Sequence, residues 1–321
     1  MIKRALRILL LFALVTVLGL GLWARYGPKP KPAPAPVVVS QETPSEAPEV
    51  RPGRDSRPPE AHLVTAAKGS MRNPSEGSCG PYRRVSDVRQ QQLLEICERV
   101  AAPLEGAFRR RFGLEPRGVP REGVFLFESR KAFQSFAQKD GRLRAGYAGY
   151  ANGAKGFVAI PAGSLDPEIF ATTLAHELTH LLLRRAMGPG LPPWLSEGLA
   201  DAMGDPATPA GLGELTGFAG VEGQARRLRD AYRGGVAASV QSIVSRRRSE
   251  FDQGALSFDY EQSALLVRFL LLHPALGPRF RSFLEDIAGA SIHDPEQLPQ
   301  ALGKSWSQLD GEFRAWVLAS G

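Results

Sequence analysis

The chain has 321 residues, 43% of them hydrophobic, enough to bury one substantial core with appendages. Its formal charge of +7 rests on 40 basic against 33 acidic residues, and only eight of the forty are lysine, a bias that follows genome composition rather than a nucleic-acid footprint. The longest basic runs, Arg109-Arg110-Arg111 and Arg246-Arg247-Arg248, are short and lack interleaved aromatics, so they read as solvated helix faces and no nucleic-acid partner is expected.

At the N-terminus, Lys3, Arg4 and Arg7 precede an uncharged apolar run of seventeen residues, Ile8 to Ala24. That is long for a signal-peptide core and short for a spanning helix. Leu22 makes a poor −3 position for cleavage after Ala24, and Trp23 and Tyr26 sit where an interfacial aromatic belt would lie. Residues 1–27 are therefore expected to form an uncleaved signal anchor with a transmembrane helix at about 8–24. Cleaved secretion is the alternative. Either way the rest of the chain is expected outside the cytoplasm, on the periplasmic side of a bacterial cell membrane. Residues 28–78 read as a proline-rich, largely disordered linker. Ten of the 26 prolines fall between Pro28 and Glu60, and such a segment extends rather than packs. Ala61 to Ser78 shows little periodicity and reads as loose.

The folded domain is expected over 79–321. The two cysteines, Cys79 and Cys97, suit a disulfide outside the cytoplasm. The competing reading is a buried thiol, since Cys97 falls among Leu93, Leu94, Val100, Ala101 and Leu104 on a helix from about Asp87 to Arg111. Val124 to Phe127 reads as a buried strand. Ser129 then caps a helix through Phe133 and Phe136, ending at Gly141. Two strands follow, about 146–150 and 156–160, around an Asn152-Gly153 turn. The open edge of this hairpin could pair with an extended peptide; an ordinary twisted hairpin is the plainer reading.

Asp166-Pro167 then opens a strongly specified helix, with a capping residue followed by proline at the first helical position. Ile169, Phe170, Leu174, Leu178, Leu181 and Leu182 recur at helical spacing, and Gly188-Pro189-Gly190 stops the helix after Arg184 and Arg185. It carries His176-Glu177-Leu178-Thr179-His180, an HExxH motif. On a helix, residues at i and i+4 project about 40° apart and one turn along the axis, so both imidazoles can converge on one tetrahedral Zn²⁺. Glu177 is placed to act on a metal-bound water as general base. Downstream, Pro193 can start a second helix on which Glu197 and Asp201 share a face, among Trp194, Leu195, Leu199 and Ala200. Glu197 can complete a His-His-Glu set for one Zn²⁺ per chain. Asp201 can accept the other ring N–H of a ligand histidine, His176 above all.

These stretches, HELTH followed by PPWLSEGLAD, resemble the gluzincin division of zinc metallopeptidases, and within it the bacterial peptidase MA-like families, over about Tyr82 to Trp316. The resemblance implies an α+β fold: a small mixed sheet, the HExxH helix, then a mostly helical lobe. It implies zinc ligands at His176, His180 and Glu197, Glu177 as base and proton shuttle, and Asp201 as the supporting carboxylate. Ser196 stands where thermolysin-like members carry asparagine, which loosens the link to thermolysin itself. Phe258 to Leu270 reads as an amphipathic helix similar to one that carries a leading tyrosine in MA-like peptidases. By that likeness Tyr260 is the candidate donor to an oxyanion, with Tyr147 and Tyr150 as alternatives. His273 and His293 read as packing or surface residues. The expected activity is hydrolysis of a peptide or protein substrate at the membrane surface. The alternative is a catalytically silent zinc-containing binding or envelope-assembly module of the same fold.

Overall fold

Two short strands, β3 (Gly123–Leu126) and β5 (Phe157–Ile160), are buried at every residue in the computed structural model. Central strands of a sheet covered on both faces must be so. With β1 (Ser75–Cys79), β2 (Tyr82–Ser86) and β4 (Tyr150–Asn152) they form a five-stranded mixed sheet of order β1-β2-β3-β5-β4. Strands β2, β3 and β5 run parallel, with Arg84 opposite Val124 and Val124 opposite Val158, while β1 and β4 are antiparallel edges. The structure describes residues 58–141, 148–204, 215, 217–218, 220–251, 258–290 and 294–319. The expected anchor at 1–27, the proline-rich stretch as far as residue 57, Tyr147 and His293 lie outside the described residues. Among the described residues no helix is long and apolar enough to cross a membrane.

Period-two alternation along β3 and β5 divides the core. Val124, Leu126, Val158 and Ile160 join the apolar side chains of α2 (Gln91–Phe112) and α4 (Pro167–Met187). Phe125, Phe157 and Ala159 point the other way, against α1 (Ala61–Ser70) and α3 (Arg130–Lys139). There Phe125 stacks on Phe157 with ring centroids 5.0 Å apart and meets Phe136 edge-on at 5.5 Å. The larger core continues into a helical lobe: α5 (Pro193–Met203), α6 (Glu222–Arg233), α7 (Val240–Val244), α8 (Arg248–Phe251), α9 (Phe258–Leu272), α10 (Leu276–Asp286), α11 (Gln297–Leu302) and α12 (Trp306–Leu318). The described chain is thus α+β, a small sheet followed by helices.

Several expectations shift. The linker does not run to residue 78: α1 and β1 belong to the folded unit, with Leu63, Val64 and Ala67 buried against the aromatic face of the sheet. A single buried turn is too narrow to register as periodicity, and β1 exposes four of its five residues, so neither carried an apolar signal. Helix α2 begins at Gln91 rather than Asp87, because the Asp87 carboxylate is engaged by the backbone N–H groups of Arg72 (2.7 Å) and Glu128 (2.8 Å). Of the strand expected at 146–150, residues 146 and 147 lie outside the described residues; the described strand is Tyr150–Asn152, with Asn152 accepting from the Lys155 N–H at 3.2 Å to shape the turn. Helix α9 is buried on every side from Glu261 to Leu271 rather than amphipathic. Its charges are internally met: Glu261 pairs with Arg227 at 2.7 Å, and Arg268 donates to the Gly217 carbonyl at 2.5 Å.

Cys79, at the end of β1, is joined to Cys97 on α2 by a disulfide, Cα–Cα 5.3 Å, which staples the edge hairpin to a helix packed on α4. Both cysteines are fully buried. Closing a loop of 18 residues in the unfolded chain is worth about 3 kcal/mol. The Cys79→Ala/Cys97→Ala double variant is therefore expected to unfold in urea at a lower midpoint, with a loss of roughly that size. An unchanged midpoint would contradict the staple.

Candidate metal centre

Helix α4 is fixed at both ends before it presents any chemistry. The Asp166 carboxylate accepts the Glu168 N–H at 2.9 Å, Pro167 fills the first turn, and Gly188 leaves the helix at φ +85°, a backbone suited to glycine. Near its C-terminus Arg185 is buried, pairing with Glu105 of α2 at 3.0 Å and donating to the carbonyls of Arg117 and Gly118. This register turns His176 and His180 to one side, with their Nε2 atoms 3.2 Å apart.

Helix α5 supplies the third group. Trp194 is buried at its start, and Gly198 lies so close to α9 that a Cβ there would stand 2.6 Å from the Ser263 carbonyl and 2.5 Å from Val267 Cγ2. At the far end a Cβ on Gly204 would stand 2.8 Å from the Thr172 carbonyl of α4. These two close approaches set α5 against the histidines. Glu197 Oε2 then lies 3.6 Å from His176 Nε2 and 3.6 Å from His180 Nε2. Ligand atoms bound at about 2.0–2.1 Å to one tetrahedral ion stand about 3.3–3.4 Å apart. The three atoms therefore span one face of such a tetrahedron, and among the described residues they are the cluster able to hold a metal.

The outer ring nitrogens are held as well. Asp201 Oδ1 is 2.8 Å from His176 Nδ1, the pairing expected from the helical spacing. Ser196 Oγ is 3.1 Å from His180 Nδ1, a role not read from the sequence, where Ser196 stood out only as a departure from the asparagine pattern. A metal bound at the shared point would require both Nδ1 atoms to carry the proton toward these oxygens, which would leave both Nε2 lone pairs for the ion. Glu197 Oε1 accepts from Arg248 Nη1 at 2.8 Å, and Arg246 pairs with Asp259. The 246–248 run is thus not merely a solvated face, and nothing in its composition marks the difference.

Burial and charge act oppositely across the site. Burial works against charge on His176, but hydrogen bonds to Asp201 and Glu197 outweigh it and hold its pKa well above the ordinary imidazole value. Burial would raise Glu197, yet the neighbouring His180 and His176 hold it well below the carboxylate range. Glu177 is pushed up by burial, with the histidines pulling the other way and a backbone hydrogen bond from Ala151 of β4 lowering it.

Strand β4 lies along α4. A Cβ on Gly149 would stand 3.1 Å from Thr173 Cγ2, and one on Gly153 2.7 Å from Arg184 Cδ, so glycine at both points lets strand and helix approach. Tyr150 points to the opposite face, packed against Phe133 and Phe157 with centroids 5.8 Å away, which removes it from the oxyanion candidates. Tyr260 stands on the first turn of α9, its ring edge-on to Phe251 at 4.8 Å, beside the segment that carries Arg248. His273 accepts from the backbone N–H groups of Ala275 and Leu276, each at 3.2 Å, a local turn contact. Neither a protein-family model nor a curated protein sequence matches the chain.

Two substitutions probe this framework. Ser196→Ala should leave folding intact and weaken metal affinity by about 10-fold. Gly198→Ala should destabilise the protein by about 1–3 kcal/mol and weaken metal binding further, because α5 must move off α9. Calorimetric metal titration with thermal melting reads both, and equal affinities in all three proteins would contradict the assignment.

Proposed function

We propose that the chain is a membrane-tethered, extracytoplasmic zinc peptidase of gluzincin type. His176, His180 and Glu197 would hold the ion, and Glu177 would be the general base. One observation carries this reading: two imidazole nitrogens and one carboxylate oxygen converge at tetrahedral spacing with Glu177 buried beside them on the same helix. Zinc, when bound, polarises a peptide carbonyl and acidifies a water at the open position.

The remaining chemistry belongs to the chain's own side chains. Glu177 follows His176 directly, and burial raises its pKa toward the working range of a proton shuttle. It would take a proton from the attacking water and return it to the departing amine. The edge of β4 beside α4 offers backbone groups to which an extended peptide can add as a further strand. Tyr260 is the proposed donor to the developing oxyanion. The tether rests on the basic flank and apolar run of residues 3–24, and the periplasmic location on the same segment.

A silent zinc module is the other reading, and Glu177 weighs against it. A structural site needs no base and usually closes its fourth position with protein. The test is metal analysis by mass spectrometry with hydrolysis of casein and a peptide library, on the full chain, Glu177→Gln and Glu197→Ala. One zinc per wild-type chain is expected, weakened by Glu197→Ala. Glu177→Gln should keep its zinc while turnover falls by about 10²–10⁴. Stoichiometric zinc without turnover in the wild type would favour the binding or envelope-assembly module; no zinc after reconstitution would overturn the metal reading.

A further inference from the structure

We propose that Arg248 is a positioning residue that restricts Glu197 to binding the metal through a single oxygen; the inference rests on the metal reading above. The two oxygens of Glu197 face different partners. Oε2 faces His176 and His180 at 3.6 Å each, while Oε1 accepts from Arg248 Nη1 at 2.8 Å. A carboxylate can chelate an ion with both oxygens. A charge-assisted hydrogen bond on one of them leaves the other as the sole ligand atom and keeps the remaining coordination position for water and substrate.

The segment bearing Arg248 is anchored for this purpose. Arg246 pairs with the mostly buried Asp259, and Phe251 packs on Tyr260. Glu250 Oε2 accepts the Arg247 N–H at 2.8 Å. Both flanks of Arg248 are thus tied to the first turn of α9, and α9 packs on α5, which bears Glu197. An exposed ion pair contributes little to stability, but the acceptor here is 10% exposed and belongs to the metal set. The negative charges of Glu197 and, behind His176, Asp201 would offset a guanidinium near a bound dication.

The test is Co²⁺ titration of the metal-free full-length chain, followed by visible absorption, with Zn²⁺ competition for affinity. The proteins are wild type, Arg248→Met and Arg248→Lys. Wild type should show the intense visible bands of four-coordinate cobalt. In Arg248→Met those bands should weaken as the second Glu197 oxygen joins, with zinc held at least as tightly, because a ligand atom is added and a nearby positive charge removed. Arg248→Lys, which retains the charge and a donor, should restore most of the wild-type spectrum. Melting of the metal-free proteins checks folding; if Arg248→Met does not fold, Arg248→Gln replaces it with the same expected band loss. A variant spectrum superimposable on wild type, or zinc binding that weakens strongly on losing Arg248, would overturn the inference while leaving the metal site standing. A wild type that binds neither cobalt nor zinc would remove the site itself.

Discussion

Two imidazoles with their Nε2 atoms 3.2 Å apart, facing a buried carboxylate, make an expensive arrangement for a protein interior. Each polar group has left water, and only outer partners or a shared ion offset that loss. The rest of the described fold can be read as the apparatus that holds this convergence. Asp201 and Ser196 fix the rings from behind, Arg248 takes the outer oxygen of Glu197, and the Gly198 contact with α9 sets the position of the whole helix. Functional sites commonly depart from the local rules that specify the fold, and compensations elsewhere hold them in place.

The sheet serves the same site from the other side. Its two buried central strands anchor α2 and α4 on one face, while α1 and α3 cover the other with a phenylalanine cluster. That division leaves β4 as the edge beside α4, close enough for the Ala151 backbone to reach Glu177. Glu177 and the strand edge are thereby linked by a hydrogen bond from the strand's backbone to the carboxylate.

Much of the site was legible because helix spacing is a strict geometric code. His176, His180, Glu197 and Asp201 fall one turn apart in pairs, and the caps of α4 were readable from Asp166, Pro167 and Gly188. What escaped the sequence depended on tertiary approach. Ser196 and Arg248 reach the site only because α5 and the 246–251 segment fold back on α4 and α9, and neither residue type in its local context marks that contact. Helix α1 and strand β1 escaped for a different reason. One buried turn and a polar edge strand are held by partners distant in sequence, among them the disulfide whose alternatives the spacing left open. The burial of Glu261 and Arg268 in α9 likewise depends on Arg227 and the Gly217 carbonyl, which no periodicity reveals.

The most direct test of the central claim is zinc K-edge X-ray absorption on the full-length protein as isolated. The account predicts a first shell of two imidazole nitrogens with oxygen ligands at about 2.0–2.2 Å, and no sulfur. It also predicts that the protein is isolated without this zinc when His176 and His180 are both replaced by alanine. A shell containing sulfur, or a metal whose environment is unchanged by those substitutions, would place the ion elsewhere and contradict the account.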